Sequence, residues 1–103
     1  MAFVTGMQGE DPKYYRVIST PKHYAVHNGP EPTRHFADVD VSKHDMLDTY
    51  EPAFRATVVD GHAGSVMCAY NAINGQPACA NGGHRSLPCG RPDRPGGIAG
   101  VRL

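Results

Sequence analysis

The sequence predicts an α/β fold in which a helix connects two parallel strands. Three observations support this prediction. An extended run at residues 17–20 leads into Lys22 and His23. Apolar residues then recur at steps of three and four between Met46 and Val58, as on one face of a helix. A short apolar run at residues 65–70 has the length and character of a buried parallel strand. Strand, helix and strand at this spacing form a βαβ unit.

The N-terminal part contains a helix end and the first strand. Residues 2–8 are expected to form the last turns of a helix, because Gly9 is suited to the position after a helix end. A polar turn with Pro12 follows. Residues 14–24 are predicted to be extended, with a bend or a break in the ladder at Pro21, which has no N–H to donate.

The middle of the chain contains a long loop and the predicted helix. Residues 25–41 form the loop, of which only 36–41 look extended, and loops of this length tend to be functional or disordered. Ser42 and Asp45 resemble a capping box at the start of the helix. An interior proline costs about 3 kcal/mol, so we expect a kink at Glu51 or a break that puts Pro52 in a new first turn. Residues 60–64 end the helix.

The C-terminal part is predicted to be a strand followed by irregular chain. After the strand at 65–70, residues 72–81 are expected to be a loop with a turn at Asn74-Gly75. Residues 82–103 contain six Gly, three Pro and four Arg without a helical or strand period, which predicts a disordered tail. Our hypothesis is that this tail is read in a shifted frame or comes from unrelated sequence.

Composition narrows the range of partners. The 103 residues suffice for one small domain, and 10 basic residues balance 10 acidic ones. No nucleic-acid partner is therefore expected. No membrane partner is expected either, because no apolar run approaches the roughly 20 residues that span a bilayer. The N-terminus lacks a signal-peptide pattern, and the compartment stays open.

Neither the cysteines nor the clustered ionisable residues form a pattern typical of a metal or catalytic site. Cys68, Cys79 and Cys89 match neither a zinc pattern nor a disulfide framework, and at least one thiol must stay unpaired in a monomer. The loop histidines lack Cys or carboxylate partners at ligand spacing, so no metal and no cofactor is expected. These histidines are His23, His27 and His35. Asp38 and Asp40 alternate along an extended run, where solvation is favoured over a catalytic pair.

A candidate site lies where the two predicted strands end. Their C-terminal ends, Lys22-His23 and Tyr70-Asn71, belong to the same edge of a parallel sheet, which is where ligands bind in such folds. Lys and His provide directional donors. Taken alone, a Lys-His pair is more often a solvated strand end, and a Tyr on an apolar strand is more often part of the core.

Six ordered blocks of residues resemble one family. The blocks are Phe3-Val4-Thr5-Gly6-Met7-Gln8-Gly9, Lys22-His23-Tyr24-Ala25, Arg34-His35, Tyr50-Glu51-Pro52-Ala53-Phe54, Ser65-Val66-Met67-Cys68-Ala69-Tyr70-Asn71 and Gly75-Gln76-Pro77-Ala78-Cys79-Ala80-Asn81. Together the blocks cover residues 2–81 and resemble the N-terminal barrel domain of glycoside hydrolase family 3, the β-glucosidases and β-xylosidases. We therefore assign residues 1–81 to a partial domain of this kind.

The resemblance implies a fold and a set of sugar-binding residues. The fold would be an incomplete (β/α)8 TIM-type barrel, with about two parallel strands and one intervening helix. Lys22 and His23 would donate hydrogen bonds to sugar hydroxyls, Tyr70 would stand beside the anomeric centre, and Met67 would line the pocket. A supporting layer would comprise Arg34, His35 and Asn71.

The resemblance also implies what this chain lacks. Retaining glycosidases need a carboxylate nucleophile and a second carboxyl group as acid/base. The family supplies these from a later strand and a following domain, and Asp93 has no strand context here. We therefore expect a fragment with no catalytic residue, inactive without the missing remainder of the barrel and the following domain.

The sequence is compatible with a glycosidase origin and with a non-catalytic one. The parent activity is expected to be that of an exo-acting β-glucosidase or β-xylosidase, and the Lys-His-Tyr-Ala and Pro-Ala-Cys-Ala-Asn blocks favour the xylosidase-like branch. The competing reading is a non-catalytic carbohydrate-binding protein or a nonfunctional gene fragment.

Overall fold

The computed structural model describes residues 1–81, which form short helices and strands. The helical elements are α1 (Ala2–Gln8), α2 (Lys43–Asp45), a π-helical turn (Met46–Tyr50), α3 (Glu51–Arg55) and a second π-helical turn (Ala56–Asp60). The strands are β1 (Lys22–Tyr24), β2 (Asp38–Val39), β3 (Met67–Cys68), β4 (Ala72–Ile73) and β5 (Gln76–Pro77). Two single 3-10 turns are Glu31–Thr33 and Ala78–Ala80. Within this part of the chain, no helix has the length and apolar character needed to cross a membrane.

Residues 43–60 form one continuous run of helical turns, here called the long helix. Its start is capped as predicted: the Asp45 backbone N–H donates to Ser42 Oγ at 3.0 Å, and that hydroxyl donates to Asp45 Oδ2 at 2.6 Å. Pro52 lies in the first turn of α3, directly after a wider π-helical turn. The helix therefore does not break at Pro52, and the predicted interruption takes the form of this wider turn, which leaves Pro52 in a first turn where a missing N–H is tolerated.

Two small sheets contain the strands, and the first confirms the predicted βαβ unit. β1 and β3 are parallel, with Lys22 opposite Met67 and Tyr24 opposite Cys68. Both strands are shorter than the sequence predicted: β1 keeps only the C-terminal end of the extended segment expected at residues 14–24, and β3 ends at Cys68, so Tyr70 lies two residues after the strand instead of at its last position. The backbone N–H of Ser19 donates to a side chain, Gln8 Oε1, and does not enter the ladder. The Lys22–His23 and Tyr24–Ala25 peptide bonds are cis.

The second sheet corrects the prediction of a loop at 72–81. β4 pairs in parallel with β2 and antiparallel with β5, and Asn74 and Gly75 connect β4 to β5 with φ of 51° and 79°. Two residues with positive φ are what a tight hairpin turn requires, and Asn-Gly is the pair best suited to it. The Asn74 side chain also accepts from the Val41 N–H at 2.8 Å and donates to the Val41 carbonyl at 2.9 Å. The hairpin is thereby attached to the chain after β2.

A disulfide joins Cys68 to Cys79, so the expectation that the cysteines form no disulfide framework was wrong. The hairpin reverses the chain and brings Cys79 back beside the end of β3, with the two Cα atoms 5.5 Å apart. A spacing of 11 residues does not reveal such a reversal in the sequence. The expectations of an unpaired thiol, which would be Cys89, and of a disordered tail concern residues outside those described.

Buried residues form two clusters around the βαβ unit. The larger one comprises Tyr24, Ala25, Val26, Met46, Ala69, Ile73 and Ala78. Phe54 of the long helix packs against it, edge-to-face with Tyr24 at 5.0 Å between ring centroids. Burial and, to a smaller extent, the nearby Glu51 carboxylate raise the pKa of Tyr24 to about 12. The smaller cluster joins Val4 of α1 to Val58 and Ala63.

The N-terminal ends of β1 and β3 are tied together by Gln8, whose side chain is 1% exposed. Its Oε1 accepts from the N–H of Gly64 at 2.8 Å and of Ser19 at 3.3 Å. Its Nε2 donates to the His62 carbonyl at 3.0 Å. A Cβ at Gly64 would lie 3.0 Å from Ile18 Cγ2, so the close approach of these segments favours glycine there. The predicted end of α1 at Gly9, with φ of 74°, is confirmed.

Candidate functional site

Aromatic and imidazole rings meet near the C-terminal ends of β1 and β3. The ring centroids of His23 in β1 and Tyr70, two residues after β3, are 6.3 Å apart. His35, from the loop that follows β1, stacks on Tyr70 with centroids 5.0 Å apart and 19° between the planes. His27 lies against His23 at 4.4 Å. With Arg34, these residues are called the strand-end cluster below.

Arg34 connects the cluster to the loop that carries it. Its Nε donates to His35 Nε2 at 3.2 Å, and its Nη1 forms an ion pair with Glu31 Oε1 at 2.8 Å. A ring nitrogen that accepts a hydrogen bond carries no proton, so this bond assigns the proton of neutral His35 to Nδ1. Arg34 thus orients the imidazole that stacks on Tyr70, and Glu31 in turn orients Arg34.

Lys22 and Met67 lie opposite each other on the paired strands, beside the cluster. Lys22 is exposed and Met67 is half-buried. Asn71 is buried, with 2% of its surface exposed, and its backbone carbonyl accepts a hydrogen bond from the Ala78 N–H at 3.2 Å. Its Nδ2 donates to the Ala72 carbonyl, while its Oδ1 is a buried oxygen without a hydrogen-bond partner among residues 1–81.

Burial and nearby positive charge lower the pKa of His23, which favours its neutral form. Desolvation lowers the pKa of His23 most, followed by the charges of His27, Lys22 and Arg34. A neutral imidazole has one N–H donor and one acceptor nitrogen. Since a sugar hydroxyl also donates and accepts, a neutral His23 can bind one hydroxyl in either sense.

The structure brings together part of the predicted site and adds one residue. The Tyr70 ring lies near the rings of both His23 and His35, and Arg34 contacts His35. The residue added is His27, which the sequence suggests only as a possible metal ligand. Its contact with His23 is not predicted, because a histidine in an irregular loop has no periodicity that indicates its position. Across residues 1–81, no group of three or more His, Cys, Asp or Glu side chains is arranged to hold a metal ion.

A separate cavity of about 340 Å³ lies between β2 and the start of the long helix. It is lined by Val39, Asp40, Val41, Ser42, Asp45, Thr49 and Tyr50. None of these residues belongs to the strand-end cluster. Asp38, which was weighed with Asp40 as a catalytic carboxylate, instead accepts a hydrogen bond from the Gly75 N–H at 2.9 Å.

A parallel βαβ unit with polar rings at its strand ends is typical of α/β enzymes, which bind their ligands at that edge. Residues 1–83 match the family model described as the glycosyl hydrolase family 3 N terminal domain. The chain therefore belongs to glycoside hydrolase family 3.

Curated relatives of the chain are named as β-xylosidases. The xylan 1,4-beta-xylosidase of Xylanibacter ruminicola is 48% identical over 80 residues, which are 76% of this chain and 9% of that protein. The exo-1,4-beta-xylosidase bxlB of Emericella nidulans is 44% identical over 82 residues, 77% of this chain and 11% of that protein. The chain thus spans about a tenth of the length of these relatives.

Two solved structures resemble the described fold. One is a GH3 exo-beta-xylosidase (XlnD) in complex with a xylobiose aziridine activity-based probe, with a TM-score of 0.70 and 36% identity over 77% of this chain and 11% of that one. The other is DesR, a beta-glucosidase from Streptomyces venezuelae in complex with D-glucose, with a TM-score of 0.58 and 37% identity. That match covers 63% of this chain and 8% of DesR.

Proposed function

We propose that residues 1–81 supply part of the sugar-binding rim of a retaining, exo-acting β-glycosidase that hydrolyses terminal β-linked sugars. The observation that carries the proposal is the placement of the Tyr70 ring between His35 and His23 at the ends of two parallel strands. In (β/α)8 barrels this end of the strands is where substrates bind. The described βαβ unit is, in this proposal, one segment of such a barrel.

Each side chain has a role that suits its position. Lys22 and His23 donate hydrogen bonds to hydroxyls of the sugar, while Tyr70 lies beside the anomeric centre and Met67 lines the pocket. These bonds assist the reaction to the extent that they strengthen as the sugar ring approaches an oxocarbenium-like transition state. Directional donors on strands satisfy this requirement better than donors on mobile loops.

Behind these residues, two side chains act by positioning. Arg34 holds His35 through the Nε–Nε2 hydrogen bond, and His35 stacks on Tyr70 and restricts the plane of its ring. Asn71 is the third member of this supporting layer. Its Oδ1 is buried and has no hydrogen-bond partner among residues 1–81.

Catalysis itself requires groups that these residues do not provide. A retaining mechanism needs two carboxyl groups about 5–5.5 Å apart across the scissile bond. The carboxylate tied to the strand-end cluster is that of Glu31, and it is held in an ion pair with Arg34. We therefore infer that the chain alone is inactive and that the nucleophile and acid/base come from the remainder of the barrel and a following domain.

A terminal β-xyloside is the preferred substrate class, and a β-glucoside is the second candidate. The first choice is supported by the identity to proteins named as β-xylosidases, and the second by the similarity to DesR. A non-catalytic carbohydrate-binding role is supported by the fact that the rings of the cluster contact one another within residues 1–81.

A binding titration tests the proposal. The 103-residue chain, labelled with ¹⁵N, is titrated with methyl β-D-xyloside and methyl β-D-glucoside while amide and ring resonances are followed by NMR. We expect shifts at His23, His35 and Tyr70, and affinity for the xyloside reduced about tenfold by Tyr70→Ala, since a ring contact in a binding site is worth about 1.4 kcal/mol or more. Tyr14→Ala is the matched control, because Tyr14 is also exposed but contacts Lys13 instead.

Three outcomes would contradict the proposal. Chemical-shift changes confined to the cavity beside the long helix would show that the sugar binds there instead. Equal xyloside affinity of the Tyr70→Ala and Tyr14→Ala variants would show that Tyr70 does not contact the sugar. Release of nitrophenol from an aryl β-xyloside by the chain alone, with retained anomeric configuration, would contradict its inactivity. If the rest of the barrel is supplied and the protein then binds sugar but does not hydrolyse it, the non-catalytic role is favoured.

A further inference from the structure

We propose that the Cys68–Cys79 disulfide positions Tyr70, so that reduction of this bond lowers the affinity for sugar and reoxidation restores it. The inference rests on the proposed function, because Tyr70 is taken as a sugar-binding residue. It assigns to the disulfide a role at the strand-end cluster in addition to any contribution to stability.

The disulfide closes the segment that carries Tyr70. Cys68 is the last residue of β3, and the next N–H, that of Ala69, donates to the Tyr24 carbonyl in β1 at 2.7 Å. The chain then leaves the sheet, passes through Tyr70 and the β4–β5 hairpin, and returns at Cys79 with a Cα separation of 5.5 Å. Tyr70 is thus two residues from one end of the covalent link.

Tyr70 has few other constraints. Its side chain is 39% exposed and lies against the rings of His35 and His23. Ring pairs of this kind contribute about 0.5–1.5 kcal/mol each, which is too little to fix a half-exposed side chain on a loose segment. Cross-linking the two ends of the segment reduces the conformations open to it.

The fold around the segment has its own bonds, so opening the disulfide need not unfold it. The Ala78 N–H donates to the Asn71 carbonyl, and the Ala72 N–H donates to the Ala37 carbonyl at 2.8 Å. The hairpin tip is bonded to Val41 through Asn74. Ala69 keeps its bond to the Tyr24 carbonyl and Asn71 its bond to Ala78, so reduction is expected to loosen Tyr70 between them while its neighbours and the hairpin stay attached.

The exchange is a balanced two-electron step with a dithiol as the reductant. A thiolate of the dithiol attacks Sγ of Cys79, which is half-buried, and Cys68, which is buried, departs as thiolate and takes up a proton. The second thiol of the reagent then displaces Cys79 in the same way. Two Cys thiols and one cyclic disulfide of the reagent result, and an oxidised dithiol reverses the reaction.

The test compares oxidised and dithiothreitol-reduced protein in a Cys89→Ser background, which removes the third thiol and so prevents scrambling. Methyl β-D-xyloside affinity is measured by NMR titration, and the nuclear Overhauser effect (NOE) between the Tyr70 and His35 rings reports ring position without any sugar. Far-UV circular dichroism reports the fold. The control combines Cys68→Ala and Cys79→Ala, which cannot form the bond.

If the disulfide positions Tyr70, reduction weakens the affinity about fivefold or more, because the binding-competent arrangement becomes a minor population. The Tyr70–His35 NOE weakens at the same time, both changes reverse on reoxidation, and the double variant behaves like the reduced protein with or without dithiothreitol. An unchanged affinity and NOE on reduction would overturn the inference. Loss of the circular dichroism signal on reduction would also overturn it, since the bond would then hold the whole fold.

The two proposals fail in different ways. If the oxidised protein binds no sugar, the proposed function fails, while a reversible loss of the ring NOE on reduction would still support the positioning role. If sugar binds equally well in both redox forms, the positioning role fails and the sugar-binding rim stands.

Discussion

The two ends of the β1–β3 pair are built differently. At the N-terminal end, the side chain of Gln8 is 1% exposed and makes three hydrogen bonds to backbone groups from both strand approaches. The Met67 N–H adds a bond to the Pro21 carbonyl at 3.1 Å, and the hydroxyls of Thr20 and Ser65 bond to each other. At the C-terminal end, the Ala69 N–H bond to the Tyr24 carbonyl and the Cys68–Cys79 disulfide hold the backbone, whereas the side chains of the strand-end cluster meet as partly exposed rings, with Tyr70 39% exposed.

If the strand-end cluster binds sugar as proposed, this difference separates stability from binding along a single pair of strands. Buried, fully bonded polar groups are costly to disturb, whereas exposed ring contacts are weak and leave hydrogen-bonding atoms free for a ligand. The same division is general in (β/α)8 barrels, where one face stabilises the fold and the other holds the site. Three substitutions test the comparison.

Gln8→Leu should have the largest effect. It leaves the N–H groups of Ser19 and Gly64 and the carbonyl of His62 without partners in a buried place. We expect the free energy of unfolding to fall by about 3 kcal/mol or more, because each unsatisfied buried group costs about 1–3 kcal/mol. Urea unfolding followed by circular dichroism measures this change.

Thr5→Ala is the matched control for Gln8→Leu. Thr5 lies on the same helix but is exposed, and its hydroxyl donates only to the Ala2 carbonyl one turn earlier. Its replacement should change the free energy of unfolding by less than about 0.5 kcal/mol. Equal midpoints for the Gln8→Leu variant and the parent would remove the basis of the comparison.

Asn74→Ala should have an intermediate effect, since it loosens the hairpin that follows the site end of β3. The substitution removes both hydrogen bonds to Val41 and places Ala at a φ of 51°. A loss of about 1–2 kcal/mol is expected from the missing bonds and the left-handed backbone. Faster amide hydrogen exchange at residues 72–76, measured by NMR, would locate the loss in the hairpin.

Gln76→Ala controls for a change in the same hairpin, because Gln76 is exposed on β5. It should leave exchange at residues 72–75 unaltered. If the two variants exchange alike, the Asn74 side chain does not attach the hairpin, and the site end of the strands is held in some other way.

The parts of the fold that sequence predicted depend on short-range signals. Gly9 after α1 and Ser42 before the long helix act on the backbone within one turn of themselves, so their effect is visible without knowledge of the rest of the chain. The parallel pairing of β1 with β3 was also predictable, since strand, helix and strand at this spacing leave little choice of topology. Pro52 indicated a helix interruption, which the structure places at a π-helical turn.

The parts that sequence did not predict depend on long-range contacts. β4 and β5 are two residues long, too short to show alternation, and they exist because β2 accepts β4 as a neighbour. The disulfide depends on that hairpin in turn. At the candidate site, the family resemblance indicated His23 and Tyr70, whose rings the structure brings to 6.3 Å, whereas the position of His27 depends on a loop conformation that no pattern encodes.

His27→Gln should have the smallest effect, and it tests the electrostatics of the site end. The pKa of His23 is held below its usual 6.5 first by burial and then by the charge of His27, with Lys22 and Arg34 contributing less. Replacing His27 by an uncharged side chain removes one of the charges that lower the pKa of His23. The pKa of His23 should therefore rise part of the way toward 6.5, while burial and the remaining cations keep it lowered.

The sign of the pH dependence follows from the same shift. The folded chain binds the His23 proton less tightly than the unfolded chain does. The contribution of His23 to the free energy of unfolding is therefore fully present above the unfolded pKa of 6.5, and it is lost as the pH falls through the lowered pKa of the folded state. His27→Gln should reduce this decline. An NMR titration of the His23 ring Cε1–H resonance measures the pKa, with His44→Gln as the control because His44 is exposed at the start of the long helix. A His23 pKa that does not move in the His27 variant, or that moves downward, would show that the ring contact carries no electrostatic coupling, and the two ends of the strand pair would then differ in packing alone.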